Sequence, residues 1–186
     1  FHFAMNIEDL NFASVSGNLI NPNELLFGSY PHKSLNSDEI RLTGGEPLLR
    51  QDFRKIVNGL DKLPLSKFGL TTNGIHLERE LEFLKGTSLK YLNISLDSLN
   101  KESFEKITQT DTFARVYHSI VKAHSMGFKV KVNAVLLRGI NDNEEELDKF
   151  VEFAQKTGIE VRFLELMRIG VANHYFEKHS MSLMLD

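Results

Sequence analysis

From residue 40 onward the chain alternates between two hydrophobic periods. A short apolar run over 40–43 reads as a strand. Phe53, Ile56, Val57 and Leu60 then recur at i, i+3, i+4 and i+7, which sets them on one side of a helix over 51–60. The same reading predicts strands over 68–72, 90–96, 129–136 and 160–166, and helices over 78–85, 101–107, 113–126 and 144–156. Leu147, Phe150, Val151 and Ala154 fall on the inward face of the last helix, which closes near Gly158. Residues 1–40 are the least regular part, with turn signals at Asn21-Pro22-Asn23 and Tyr30-Pro31-His32. From Arg168 onward there is no clear pattern.

Five strands alternating with helices imply β-α units and a parallel sheet. The pattern alone fits an open doubly wound sheet and a partial barrel equally well. At 186 residues the chain is one domain by size. It divides into an irregular segment over 1–40, an α/β core over 41–170 and a tail over 171–186.

The strands carry more polar residues than a sheet buried on both faces should. Side chains alternate along a strand. Arg41 and Thr43 therefore share a face, as do Thr71 and Asn73, then Asn93, Ser95 and Asp97, then Lys131 and Asn133, with Arg162 on the fifth strand. Parallel sheets are normally covered on both sides, and a buried charge without a partner is costly. Two readings satisfy these groups. Lys131 or Arg162 could pair internally with Asp97 or Glu165. Alternatively, Arg41, Lys131 and Arg162 clamp an anionic ligand, through charge-assisted contacts worth about 1.5–3 kcal/mol each. Three bases on three strands suit a polyphosphate.

Composition narrows the classes. The chain is 41% apolar and 25% charged with a net charge of −3, and its acids and bases are interspersed. A nucleic-acid surface needs a clustered basic face, so none is expected. No apolar run is long enough for a membrane span or for the core of a signal peptide. The seven histidines show no metal-ligand spacing, and His174 and His179 read as surface residues. No Walker loop or dinucleotide glycine fingerprint occurs. Ser95 has no acid–histidine pattern around it. Met167 reads, on its own, as a core or rim methionine. There is no cysteine, which excludes a disulfide scaffold.

The most specific string is Arg41-Leu42-Thr43-Gly44-Gly45-Glu46-Pro47-Leu48-Leu49-Arg50. Glycines at a strand end let backbone N–H groups approach a ligand. Glu46 sets a carboxylate beside them, suited to a ligand ammonium, and Pro47 stiffens the loop. A tight strand-to-helix turn without a ligand would use a Gly-Gly pair as well. The whole string resembles the S-adenosylmethionine (SAM)-binding segment of radical SAM enzymes. Its flanks resemble the molybdenum cofactor biosynthesis protein A (MoaA) family, the GTP 3',8-cyclases. Further pieces occur in that family's order: Leu70-Thr71-Thr72-Asn73-Gly74, Leu92-Asn93-Ile94-Ser95-Leu96-Asp97-Ser98, Val130-Lys131-Val132-Asn133-Ala134-Val135, Gly139-Ile140-Asn141-Asp142 and Arg162-Phe163-Leu164-Glu165-Leu166-Met167.

The resemblance implies a partial TIM barrel of the radical SAM type, with SAM and a 4Fe–4S cluster as cofactors and GTP as substrate. It implies SAM contacts at Gly45, Ser95 and Met167, with Gly44 and Glu46 in the same loop. It implies GTP contacts at Arg41, Thr71 and Lys131, an active-site arginine at Arg162 and a neighbouring polar residue at Asn133. The implied reaction is radical rearrangement of GTP to 3',8-cyclo-7,8-dihydro-GTP in molybdenum cofactor synthesis. A homodimer is compatible with the resemblance, in the cytoplasm or, in a eukaryote, the mitochondrial matrix.

The departures are as informative. The family's cluster loop, with three cysteines, has no counterpart here. Phe1-His2-Phe3-Ala4-Met5 reads as a degraded remnant of it, and about one helix before Arg41 is missing. The family's C-terminal region, with its second cysteine triad, is absent too. The chain is therefore expected to be a truncated copy, inactive as written. The alternatives are a remnant that binds SAM or GTP only, or another radical SAM enzyme acting on a heme or a peptide. Arg41, Lys131 and the segment 162–167 argue against the last of these.

Overall fold

The computed structural model describes residues 39–166 in full and the backbone of residues 13–15 and 18–20. Seven strands form one sheet in the order β2-β1-β3-β4-β5-β6-β7. They are β1 (Ala13–Val15), β2 (Asn18–Ile20), β3 (Glu39–Leu42), β4 (Lys67–Thr72), β5 (Leu89–Ser95), β6 (Lys129–Leu136) and β7 (Glu160–Glu165). The predicted five strands are β3 to β7, and each pairs in parallel with the next. Within the segment read as irregular, β1 and β2 form an antiparallel hairpin, and β1 continues antiparallel onto β3.

The helices are α1 (Phe53–Leu60), α2 (Leu81–Lys85), α3 (Lys101–Thr108), α4 (Phe113–Ser125) and α5 (Glu144–Thr157). Helix α1 buries the four residues that its period selects: Phe53, Ile56, Val57 and Leu60. The helix expected over 78–85 is split into a 3-10 turn at Glu78–Glu80 and the short α2. In α5 the buried apolar residues are Phe150 and Phe153, while Val151 points outward at 49% exposure. The expected inward stripe of α5 is thus rotated, because Phe150 and Phe153 are the larger groups and take the core. Asn100 and Asn143 cap α3 and α5 by accepting first-turn amides.

Among the described residues, one face of β3–β6 is packed and the other is open. Ile40, Leu42, Phe68, Leu70, Leu92, Ile94, Val130, Val132 and Ala134 point to the packed face, none more than 6% exposed. They form one core with the inner residues of α1, α4 and α5. Burying a large apolar side chain contributes roughly 1.5–3 kcal/mol, so this face holds the sheet together. The alternate residues Arg41, Thr71, Asn93, Ser95, Lys131 and Asn133 are half-buried on the other face. Among the described residues the sheet expected to be buried on both faces is therefore covered on one. Right-handed crossovers that all return along one side curl a parallel sheet into a barrel wall. A doubly wound sheet would carry helices on both sides. The fold is a partial barrel, and its polar face is the inside of the wall.

Candidate functional site

Strand register decides which polar groups meet. Thr71, Asn93, Lys131 and Glu160 are successive partners across β4, β5, β6 and β7. Two residues further along, Ser95, Asn133 and Arg162 form a second row. Arg41 starts a third row, opposite Gly69. Nine of the ten residues singled out from the sequence fall within the described chain. Met167, like His174 and His179, lies outside the described residues.

Arg41 lies across β4 because position 69 has no side chain. A Cβ on Gly69 would stand 3.0 Å from Arg41 Nη1 and 3.1 Å from its Cζ. Arg41 Nη1 donates a long hydrogen bond, 3.4 Å, to the Leu70 carbonyl. Partial burial, followed by the positive charge of Arg162, pulls the Arg41 guanidinium below its usual range, and Glu39 works in the opposite direction. Arg41 and Arg162 therefore share a field that an anion would relieve.

Lys131 and Arg162 converge on one carboxylate. Lys131 Nζ is 2.7 Å from Glu160 Oε2, and Arg162 Nε is 2.6 Å from Glu160 Oε1. The expected internal partners, Asp97 and Glu165, are corrected to Glu160 by the register. Asp97 stands four residues beyond Asn93, the row partner of Lys131, or about 13 Å along the strand. Its Oδ1 accepts the Val135 amide at 2.8 Å. Glu165 is three residues from Arg162 and so points to the other face.

Asn133 holds a different signal. Its Oδ1 is buried and has no hydrogen-bond partner. Such an acceptor costs stability unless a donor reaches it. Its row neighbours are Ser95 and Arg162.

The loop after β3 is built around Glu46, only 6% exposed. Oε1 accepts the Leu48 amide at 3.0 Å and the Thr72 hydroxyl at 2.8 Å. Oε2 accepts the Asn73 amide at 2.7 Å. Glu46 thereby caps the 3-10 turn Pro47–Leu49 and ties the loop to the end of β4. Burial pushes its carboxyl above the ordinary range, while the Asn73, Leu48 and Thr72 donors pull it back. Gly44 has φ 136°, open only to glycine without strain. The carboxylate that reads from sequence as a ligand partner is thus also the staple that sets the loop.

Two contributors have no role assigned from the sequence, although Asn141 lies in the quoted Gly139-Ile140-Asn141-Asp142 piece. Gly69 makes room for Arg41, and a glycine inside a strand is a signal of close approach. Asn141 is fully buried and ties β5 to β6. Its Nδ2 donates to the Asp97 carbonyl at 2.6 Å and the Val135 carbonyl at 2.9 Å, and its Oδ1 accepts the Leu137 amide at 2.6 Å. Among the described residues no group of His, Asp and Glu converges to hold a metal ion, and no helix is long and apolar enough to cross a membrane.

Known proteins give this geometry a context. The chain is 46% identical over 145 residues to a GTP 3',8-cyclase of Synechocystis, covering 78% of this chain and 44% of that protein. It is 40% identical over 154 residues to a GTP 3',8-cyclase of Klebsiella pneumoniae, covering 82% and 46%. The chain thus spans less than half the length of these curated relatives. Among solved structures it resembles Streptococcus suis SuiB, with a TM-score of 0.63 and 18% identity over 78% of this chain and 33% of that one. It also resembles a radical SAM methyltransferase from Sphaerobacter thermophilus, with a TM-score of 0.61 and 15% identity over 85% and 52%. These two likenesses concern the fold. Residues 30–151 match the Radical SAM superfamily, and the chain belongs to that superfamily.

Proposed function

We propose that this chain is the SAM- and GTP-holding part of a GTP 3',8-cyclase, the step of molybdenum cofactor synthesis that turns GTP into 3',8-cyclo-7,8-dihydro-GTP. The observation that carries the reading is the open barrel face. Arg41, Lys131 and Arg162 stand on three strands of it, all turned to one side. The two curated relatives named above are GTP 3',8-cyclases. On this reading Arg41, Lys131 and Thr71 hold the nucleotide, the two bases neutralising its phosphates. Arg162, which shares the Glu160 carboxylate with Lys131, is the third base at the phosphates.

Radical SAM proteins work with SAM and a 4Fe–4S cluster, and the residues here fit the first and not the second. The unpartnered Asn133 acceptor suits a ligand hydroxyl or ammonium. Ser95 is its row neighbour, and the Gly44-Gly45 backbone lies at the strand end that Glu46 fixes. With Met167, these are the residues that would hold SAM. A cluster needs thiolates, and the 186 residues contain no cysteine. These residues as they stand bind and orient both ligands and do not carry out the radical step.

Thermal melts with ligand test the reading. GTP or SAM at 100 times its dissociation constant should stabilise the fold by about 2.7 kcal/mol, a rise of several degrees at this size. Lys131→Ala should abolish most of the GTP shift and leave the SAM shift intact. No shift with either ligand would overturn the proposal. So would a stoichiometric iron–sulfur cluster after reconstitution, as far as the cluster-free reading goes.

A further inference from the structure

Glu160 is an acid in the middle of the basic face. It sits in the same row as Thr71, Asn93 and Lys131, and its side chain is 47% exposed toward the open side. Lys131 Nζ meets both carboxylate oxygens, Oε2 at 2.7 Å and Oε1 at 2.9 Å, and Arg162 Nε meets Oε1 at 2.6 Å. A bound phosphate would take up those same contacts. Lys131 and Arg162 together carry two positive charges against one negative charge on Glu160, so the triad keeps a net charge of +1. Arg41 still feels the charge of Arg162.

We propose that Glu160 is an internal competitor for the anion site, a carboxylate that occupies the ligand's place between Lys131 and Arg162 and must yield before a phosphate can bind. The inference rests on the open face being the GTP site. Its chemistry is an exchange of anions. A phosphate oxygen replaces a Glu160 oxygen on each cation, and the freed carboxylate turns to water, which its exposure allows. The carboxylate then lowers affinity for every anionic ligand, while holding two like charges at hydrogen-bonding distance when no ligand is there. It also raises selectivity against weak anions: inorganic phosphate and carboxylates have to displace a tethered rival, whereas a nucleotide brings base and sugar contacts in addition.

A residue that merely aligned the two cations would have the opposite effect on removal. Alignment predicts weaker binding in Glu160→Gln, and competition predicts tighter binding. An exposed ion pair is worth up to about five-fold in an equilibrium constant. Two such pairs, partly screened, give an expected gain of about three- to ten-fold.

The full 186-residue chain and its Glu160→Gln and Glu160→Asp variants would be titrated calorimetrically with GTP and with inorganic tripolyphosphate, at low and at raised salt. Glu160→Gln should bind both probes about three- to ten-fold more tightly at low salt, with the gain shrinking as salt rises. Glu160→Asp, which keeps the charge, should stay within about two-fold of the wild type. Weaker or unchanged binding in Glu160→Gln, with a wild type that binds both probes, would overturn the competitor role and leave the site standing. If neither the wild type nor Glu160→Gln bound GTP or tripolyphosphate, the site itself would fall, and the inference with it.

Discussion

Along β5 the chemistry changes at every step. Leu92 and Ile94 are fully buried, while Asn93 and Ser95 between and beside them face the open side. The same contrast runs across β3, β4 and β6. On the packed face each residue is fixed by volume, and neighbours from α1, α4 and α5 close around it. On the open face Arg41, Lys131 and Arg162 are only partly buried, so they can gather without the cost of full burial. Stability thereby rests on the packed side of β3–β6, and the proposed ligand site lies on the other side.

The largest test of that division is a truncation on each side of β5. Leu92→Ala should cost about 2–5 kcal/mol, enough to lower the melting temperature by roughly 5–15 °C. Its neighbour Asn93→Ala should change stability by less than about 0.5 kcal/mol, as an exposed-face substitution does. Comparable losses from both would show that the open face is part of the core. Thermal melts of the pair decide.

Glu46→Gln probes the buried acid of the loop after β3. Its folded carboxyl is raised above the ordinary value of 4.5. A raised carboxyl favours the fold fully below its unfolded value, and this contribution is lost as pH rises through the folded value. Wild-type stability should therefore fall relative to Glu46→Gln as pH rises above about 4.5. Denaturant unfolding of both proteins between pH 4 and 7 measures the difference, and parallel curves would contradict the burial-dominated assignment. A smaller effect is expected at Gly69. Gly69→Ala sets a methyl 3.0 Å from the Arg41 guanidinium. It should shift stability by less than about 1 kcal/mol and weaken GTP binding by roughly ten-fold, through displacement of one charge-assisted contact. Equal GTP affinity in calorimetry would remove Arg41 from the site.

The packed face was the legible half of the molecule. Phe53, Ile56, Val57 and Leu60 announce α1 through their period, and the apolar alternation of β4–β6 marks which residues point inward. The polar rows were legible as lists too, because alternation places Lys131 with Asn133 and Asn93 with Ser95. Their partners were not. Lys131 meets Glu160, and not Asp97 or Glu165, because of strand register, a relation between segments 29 residues apart. The open face was hidden by a rule that holds for complete parallel sheets and not for a wall curled to one side. Val151 misled for a local reason: Phe150 and Phe153 outbid it for the core next to β7. Glu46 stands out in the sequence as a candidate ligand partner, but its three internal donors, Leu48, Thr72 and Asn73, were hidden, two of them lying at the next strand's end.

Asn141 joins two strand ends by side-chain bonds where the ladder stops. The amide of Leu137 is donated to Asn141 and that of Val135 to Asp97, so neither depends on the continued pairing of backbone with backbone. Hydrogen exchange at these two amides therefore requires the rim of β5 and β6 to come apart as a unit. The end of the wall that carries Ser95 and Asn133 opens in a single cooperative event, and fraying strand by strand is blocked there.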